Sequence, residues 1–250
     1  MSNTLVKWGL FIVLCLIWGS SFELMKLGMY QNHDFSKPLL TPYQVAALRM
    51  LSAGVIMIPF VFSAYKRMEK GILNYAILSG LLGSFFPAFL FCIAESKIDG
   101  ALAGCLNALT PLFVAITGLL FFKVHTSKQK ITGILIGFTG CILLTYANYT
   151  KPFEYIASSG FVILATIFYG INVNMVQKKL SGVSSTSIAA LAFTGLIPPS
   201  LLVLLITGYF KLPLSQDAFI ISTLSSCILG VLGTALASVL FYMLVKRAGG

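Results

Sequence analysis

The sequence predicts an all-α integral membrane protein with about eight transmembrane helices. Apolar residues make up 58% of its 250 residues, and charged residues make up only 10%. A soluble domain carries about 25% charged residues, so this chain has too few to cover a surface that faces water. A bilayer core about 30 Å thick needs about 20 apolar residues per helix, and eight runs along the chain approach or reach that length.

The eight runs are separated by short polar segments. They cover about residues 8–28, 43–63, 72–94, 101–122, 131–147, 157–177, 187–207 and 218–245. No Ala-x-Ala cleavage site follows the first run, so we expect it to be retained as the first helix and not removed as a signal peptide.

Lysine and arginine are distributed unequally between the two sides of the predicted bundle. Eleven lie on the side of the N-terminus and four on the opposite side. Because cytoplasmic loops are enriched in these residues, both termini are predicted to be cytoplasmic, as in a bacterial inner membrane protein. The acids follow the reverse trend, with Glu95 and Asp99 assigned to an outer loop. The net charge of +10 is thus explained by topology and not by a nucleic acid partner.

Two parts of the chain resemble two others at an almost constant spacing. Residues 80–84 (Gly-Leu-Leu-Gly-Ser) match residues 230–234 (Gly-Val-Leu-Gly-Thr), and Trp18-Gly19 matches Tyr169-Gly170. The repeating unit contains five spans, an odd number, so the second copy has inverted topology. Inverted repeats are the architecture of many secondary transporters, which bind substrate near the bilayer midplane.

The repeat predicts the domain organisation. Residues 1–150 form the first five-helix unit, and residues 151–250 form the first three helices of an inverted second unit. The parent fold would have ten helices. The expectation is that about two further spans would complete the second unit.

Several segments resemble the EamA-type proteins of the drug/metabolite transporter superfamily. They are Trp18-Gly19-Ser20-Ser21-Phe22 followed by Lys26, Ala47-Leu48-Arg49, Asn107-Ala108-Leu109-Thr110-Pro111-Leu112, Gly133 with Gly137 and Gly140, and Lys246-Arg247-Ala248-Gly249. The resemblance implies a ten-helix transporter of amino acids or related small metabolites, often an exporter. Two positions depart from the family pattern: Lys123 stands where an acid is usual, and Glu23 where an apolar residue is usual.

Glu23, Lys26 and Arg49 are the charges predicted to lie inside spans. A charged residue costs about 2.5–3.5 kcal/mol at the centre of a membrane helix, so these three are expected to have partners. Glu23 and Lys26 lie one helical turn apart and could neutralise each other. The alternative is a role in gating or coupling, with Glu23 as the protonatable carboxyl.

Aromatic and small polar residues are the candidates for substrate binding. Trp18 and its repeat mate Tyr169 are both predicted near mid-membrane, where they could form two walls of a pocket. Ser20, Ser21, Asn107 and Asn172 could supply hydrogen bonds, because polar groups inside a bilayer face other helices or a wet cavity. Plain helix packing is the alternative for each of them.

These features favour a secondary transporter that works by alternating access. An intramembrane enzyme needs a nucleophile, a base or a metal cluster, and no histidine lies in an apolar run. No catalytic residue, metal site or cofactor is therefore predicted. A non-transporting membrane assembly subunit is the remaining alternative. The predicted partners are the lipid bilayer and a small-molecule substrate, with a homodimer left open.

Overall fold

A computed structural model of the chain describes residues 3–31, 34, 36–66, 70–124, 127–147 and 153–248. Helices dominate these residues, and some bend or break partway. They are α1 (Asn3–Met29), α2 (Pro42–Lys66), α3 (Lys70–Gly80, a π-helical Leu81–Phe85 and Phe86–Glu95), α4 (Gly100–Asn107 and Thr110–Phe122), α5 (Lys128–Ala147), α6 (Phe153–Lys179), α7 (Ser185–Thr194 and Ile197–Ile206) and α8 (Asp217–Ile228, a π-helical Leu229–Leu236 and Ala237–Ala248).

Seven of these helices are long and apolar enough to cross a membrane, within the part of the chain that the structure describes. They are α1 to α4 and α6 to α8, and α5 contributes a shorter apolar segment, Ile131–Gly140. The prediction of an all-α membrane protein is confirmed. The helices alternate in direction, and we call the end that holds Lys66, Lys178 and Arg247 the inner end, and the opposite one the outer end.

Helix starts at the outer end follow from local capping chemistry. At α2, the Thr41 amide donates to Gln44 Oε1 at 2.9 Å, and the Gln44 amide donates to Thr41 Oγ1 at 3.3 Å. This reciprocal pair is a capping box, and Pro42 follows at the first helical position, where its missing N–H costs nothing. At α4, the Asp99 carboxylate accepts from the Leu102 amide at 2.9 Å.

The breaks within helices coincide with prolines and polar residues. In α4 the Thr110 hydroxyl donates to the Asn107 carbonyl oxygen at 2.8 Å, and Pro111 restarts the helix. In α7, Pro198 and Pro199 lie in the first turn of the second segment. Proline removes an intrahelical hydrogen bond and clashes with the preceding turn, so the prolines explain where both helices break.

Helices α2 and α7 form a central contact, with three helices on one flank and two on the other. On one flank α6 packs against α3 and α4, and on the other α1 packs against α8. The π-helical segments of α3 and α8 fall at repeat-related positions, 81–85 and 229–236. An inverted repeat would produce this arrangement, although the division into two units stays a prediction.

The contact between α2 and α7 depends on a glycine. A methyl group added at Gly54 would lie 2.5 Å from Ile197 Cγ1 and 2.7 Å from the Phe193 carbonyl oxygen. Because backbone cannot give way cheaply, we expect Gly54→Ala to lower the free energy of unfolding by about 1–3 kcal/mol, as overpacking commonly does. Thermal unfolding in detergent measures this.

The matched control is Gly137→Ala in α5, where an added methyl group would meet nothing within 4 Å. Alanine is the better helix former, so this change should be neutral or stabilising. Equal melting temperatures for Gly54→Ala and the native chain would contradict the close approach of α2 and α7.

Candidate functional site

A cavity of about 190 Å³ lies at the centre of the bundle. We call it the central cavity. Of the residues predicted to take part in function, six line it: Trp18, Ser21, Arg49, Asn107, Tyr169 and Asn172. They come from α1, α2, α4 and α6, so segments far apart in sequence converge on one site.

Two glycines that the predicted repeat aligns, Gly83 and Gly233, each lie against a polar side chain that lines the central cavity. Asn172 of α6 packs directly against Gly83 of α3. A side chain on residue 83 would collide with the Asn172 amide. Gly233 of α8 lies against two residues of α1. A Cβ added at Gly233 would lie 2.8 Å from the Ser21 hydroxyl oxygen, and the Trp18 indole N–H donates to the Gly233 carbonyl oxygen at 3.3 Å. Both glycines belong to the π-helical segments, so these segments allow polar side chains of α6 and α1 to approach closely.

Arg49 is the one formal charge among the described residues that line the central cavity. Its Nε donates to Thr234 Oγ1 at 2.6 Å, and its Nη1 lies 4.0 Å from Met25 Sδ. A guanidinium carries five N–H donors in a planar fork that matches a carboxylate. Neither of these neighbours is anionic, so the site can attract an anionic group of a ligand.

Asn172 adds an acceptor to the same cavity. Its Oδ1 is buried and receives no hydrogen bond from the described residues. A buried polar atom without a partner costs about 1–3 kcal/mol, so a ligand donor at this point would relieve a cost. Asn174 differs, since its amide nitrogen already donates to the Val114 carbonyl at 2.8 Å and the Gly170 carbonyl at 2.9 Å. Asn174 therefore joins α6 to α4.

Aromatic rings form the apolar walls. Trp18 and Phe241 have ring centroids 5.5 Å apart. Phe91 and Tyr169 are stacked with centroids 6.2 Å apart. Such rings offer flat apolar surface, and their faces also attract cations.

A wider cavity of about 780 Å³ lies toward the inner end, and we call it the inner vestibule. Lys7, Val124 and Gln177 line it. Thr110, Val173 and Phe241 line both cavities, so the two spaces adjoin. The central cavity is therefore next to the space at the inner end of the bundle.

The outer end is closed by a set of contacts that we call the outer seal. Lys26 is buried, and its ammonium donates to the carbonyl oxygen of Glu95 and, at 2.7 Å, to that of Ile98. The Phe22 and Phe91 rings meet at 6.2 Å between centroids. The Tyr30 hydroxyl donates to the Ser96 carbonyl oxygen at 3.2 Å. These contacts connect α1 to the outer end of α3.

Three predicted residues do not line the central cavity: Lys26, which belongs to the outer seal, and Ser20 and Glu23. Ser20 is exposed, and its hydroxyl donates to the carbonyls of Leu16 and Ile17 in its own helix. Glu23 is also exposed. Their roles in binding and coupling stay predictions.

The predicted position of Glu95 was wrong. The sequence pattern placed this acid in an outer loop and left Glu23 as the only acid within a span. In the structure Glu95 is the last residue of α3 and is fully buried, with 0% of its surface exposed. The apolar run ends one residue earlier, at Ala94. The missed signal is the lysine at position 26, which needs acceptors at that depth.

A second outer contact joins α6 to the start of α4. The Tyr155 hydroxyl donates to Asp99 Oδ2 at 2.5 Å. Burial and the Asp99 carboxylate raise the pKa of Tyr155 to about 12, so the phenol keeps its proton under physiological conditions. The hydrogen bond between Tyr155 and Asp99 therefore persists over the physiological pH range.

Comparison with known proteins decides the family. The model of the EamA-like transporter family matches residues 7–146, more than half of the chain. The chain belongs to the EamA-like transporter family. This match confirms the family resemblance that was read from the sequence.

The curated relatives are distant. An "Uncharacterized transporter" of Archaeoglobus fulgidus is 24% identical over 70% of this chain and 59% of its own length. A "Probable amino-acid metabolite efflux pump" of Salmonella typhimurium is 26% identical over 68% of this chain and 52% of its own length. The "Uncharacterized inner membrane transporter YedA" of Escherichia coli is 27% identical over 54% and 42%. The chain spans about half the length of the curated relatives it matches.

A solved crystal structure shares the fold. It superimposes with a TM-score of 0.66 at 16% identity and covers 100% of this chain and 80% of the other. At this identity the match shows the fold alone.

Proposed function

We propose that this chain is a carrier for small amino-acid-type metabolites, which it moves outward across the cell membrane by alternating access. Arg49 carries the proposal, since it places a positive charge in a cavity whose other described lining residues are uncharged. A carboxylate can form two parallel hydrogen bonds with a guanidinium.

The remaining lining groups suit the rest of an amino acid. Asn172 Oδ1 offers an acceptor for an ammonium group, and the walls of Trp18, Tyr169 and Phe241 suit an apolar or aromatic side chain. The Salmonella typhimurium relative is named a probable amino-acid metabolite efflux pump, and this name agrees with the chemistry of the cavity. The outward direction is supported by that name as well.

Alternating access is supported by the two ends of the bundle. The central cavity adjoins the inner vestibule, while the outer seal closes the opposite side. The lysine and arginine bias supports the inner end as the cytoplasmic one. This conformation would therefore load substrate from the cytoplasm. A homodimer stays a prediction, which nothing in the described residues supports.

Counterflow in proteoliposomes tests the proposal. Vesicles loaded with unlabelled phenylalanine should accumulate external radiolabelled phenylalanine transiently, because only a carrier exchanges one molecule for another. Phenethylamine, which has the same ring and ammonium but no carboxylate, should drive exchange poorly. Phenylpropionate, which keeps the carboxylate, should compete better than phenethylamine.

Empty liposomes serve as the control. If phenylalanine shows no exchange above that control, and a mixture of other amino acids also shows none, the carrier proposal fails. Equal exchange with phenethylamine and phenylalanine would instead contradict Arg49 as the carboxylate site.

A further inference from the structure

Glu95 is a fully buried carboxyl between the central cavity and the outer surface. It lies one helical turn beyond Phe91, which lines the cavity, and two residues before the exposed Lys97. A Cβ built on Gly100 would lie 4.0 Å from Glu95 Oε2 and 2.9 Å from Phe22 Cβ. The carboxyl group is thus enclosed in the outer seal.

Neither oxygen of the Glu95 side chain receives a hydrogen bond from any residue that the structure describes. The nearby ammonium of Lys26 donates to the main-chain carbonyls of Glu95 and Ile98. Through these bonds Lys26 stabilises the end of α3, where carbonyls otherwise lack partners. The cation therefore holds the backbone of Glu95, and the side-chain oxygens remain without a hydrogen bond.

Other charged or titratable groups lie near Glu95. Lys26 and Glu23 on α1, Arg49 on α2 and Cys92 on α3 interact with it electrostatically. Four more groups contact residues next to Glu95 or Lys26: Tyr30 on α1, Asp99 before α4, and Tyr155 and Tyr169 on α6. Arg49 is directed to Thr234, and Asp99 is bound by Tyr155 and Leu102. Within the described residues, none of these groups forms a hydrogen bond to the Glu95 carboxyl.

Burial without a hydrogen bond makes the ionised form of the Glu95 carboxyl less stable than its neutral form. An ionised carboxylate removed from water carries a penalty of several kcal/mol that only close partners offset. A neutral carboxylic acid loses far less. If α1 moves away from the end of α3, water reaches Glu95 and the ionised form becomes acceptable. Closing the outer seal therefore favours proton binding, and opening it favours proton release.

We propose that Glu95 is a proton-binding site that must be occupied for the outer seal to close. The proton comes from water at the outer end, binds a side-chain oxygen of Glu95 as the seal closes, and returns to water when the seal opens. The inference rests on the proposed carrier function, because it assigns the proton to one half of the alternating-access cycle. Outer acidity would then favour the inward-open form, and alkaline conditions the outward-open form.

The test measures how accessible a buried position of the outer seal is at different pH values. Ile98 is only 1% exposed, whereas Lys97 beside it is exposed. The chain in lipid nanodiscs, carrying either Ile98→Cys or Lys97→Cys, is labelled with a water-soluble maleimide. The Ile98 rate is divided by the Lys97 rate, since thiol reactivity itself depends on pH, and labelling of the chain without either substitution is subtracted as background. We expect the ratio to rise with pH, by at most about tenfold per pH unit for one carboxyl.

Three further variants test whether the pH dependence of the labelling ratio comes from Glu95. Glu95→Gln imitates the proton-bound form, so its ratio should stay low and should not change with pH. Glu95→Met, which is also uncharged, should behave alike and replaces it if Glu95→Gln does not fold. Asp217→Asn removes an exposed acid at the same end of the bundle, and its ratio should follow the native pH dependence.

A native ratio that is constant with pH would overturn the proposal. So would a ratio that keeps its pH dependence in both Glu95 variants, or one that loses it in Glu23→Gln while both Glu95 variants retain it. Phenylalanine counterflow on the same preparations separates this result from the proposed function. If counterflow fails but the labelling ratio depends on pH through Glu95, the carrier proposal fails and the proton site stands. If counterflow succeeds but the ratio does not depend on pH through Glu95, the proton site fails and the carrier proposal stands.

Discussion

Arg49→Gln is expected to raise the KM for phenylalanine counterflow by about 10- to 100-fold. Hydrogen bonds to charged groups contribute about 1.5–3 kcal/mol, and each 1.4 kcal/mol is a factor of ten in affinity. Glutamine keeps a donor near Thr234, so the contact between α2 and α8 should survive while the charge is lost. Initial exchange rates at several phenylalanine concentrations give the KM.

Substrate chemistry provides the internal control for this prediction. Phenethylamine has no carboxylate, so its weak exchange should fall little in Arg49→Gln. Arg49→Lys keeps the charge but loses the planar fork, and its KM should lie between those of the native chain and the glutamine variant. If Arg49→Gln changes phenylalanine and phenethylamine exchange by the same factor, Arg49 supports the fold and does not recognise the carboxylate.

Seven of the eight predicted runs correspond to helices that are long and apolar enough to span a membrane, and the run at 131–147 corresponds to the shorter apolar segment of α5. The predicted runs and the helices differ by a few residues at most ends, and proline marks the breaks in both α4 and α7. The predicted repeat also aligned Trp18 with Tyr169. Both side chains line the central cavity, as expected if aligned residues pack in equivalent places. Such information is carried by local composition and spacing.

The sequence did not predict which face of each helix points toward the central cavity. Ser20 and Ser21 are adjacent, yet Ser21 lines the central cavity while Ser20 is exposed. In a soluble helix the polar face would reveal which side is buried, but in a membrane both faces are apolar and the sequence pattern is weak. Glu95 was missed for a related reason. An acid at the end of an apolar run is usual for a loop, and only the approach of Lys26 from another helix shows that it is buried.

Trp18→Ala is expected to weaken phenylalanine binding by about tenfold, since aromatic pairs contribute about 0.5–1.5 kcal/mol beyond the area they bury. The change removes the wall that packs against Phe241 at 5.5 Å and the indole donor to the Gly233 carbonyl. Trp18→Phe keeps an aromatic wall without the donor, so its KM should stay close to that of the native chain. Phe62→Ala is the matched control, because this aromatic side chain of α2 is 77% exposed and lies outside the central cavity. Counterflow KM values and melting temperatures are measured for all three variants. A KM that is unchanged in Trp18→Ala, with the melting temperature lowered, would show that Trp18 serves helix packing and not substrate binding.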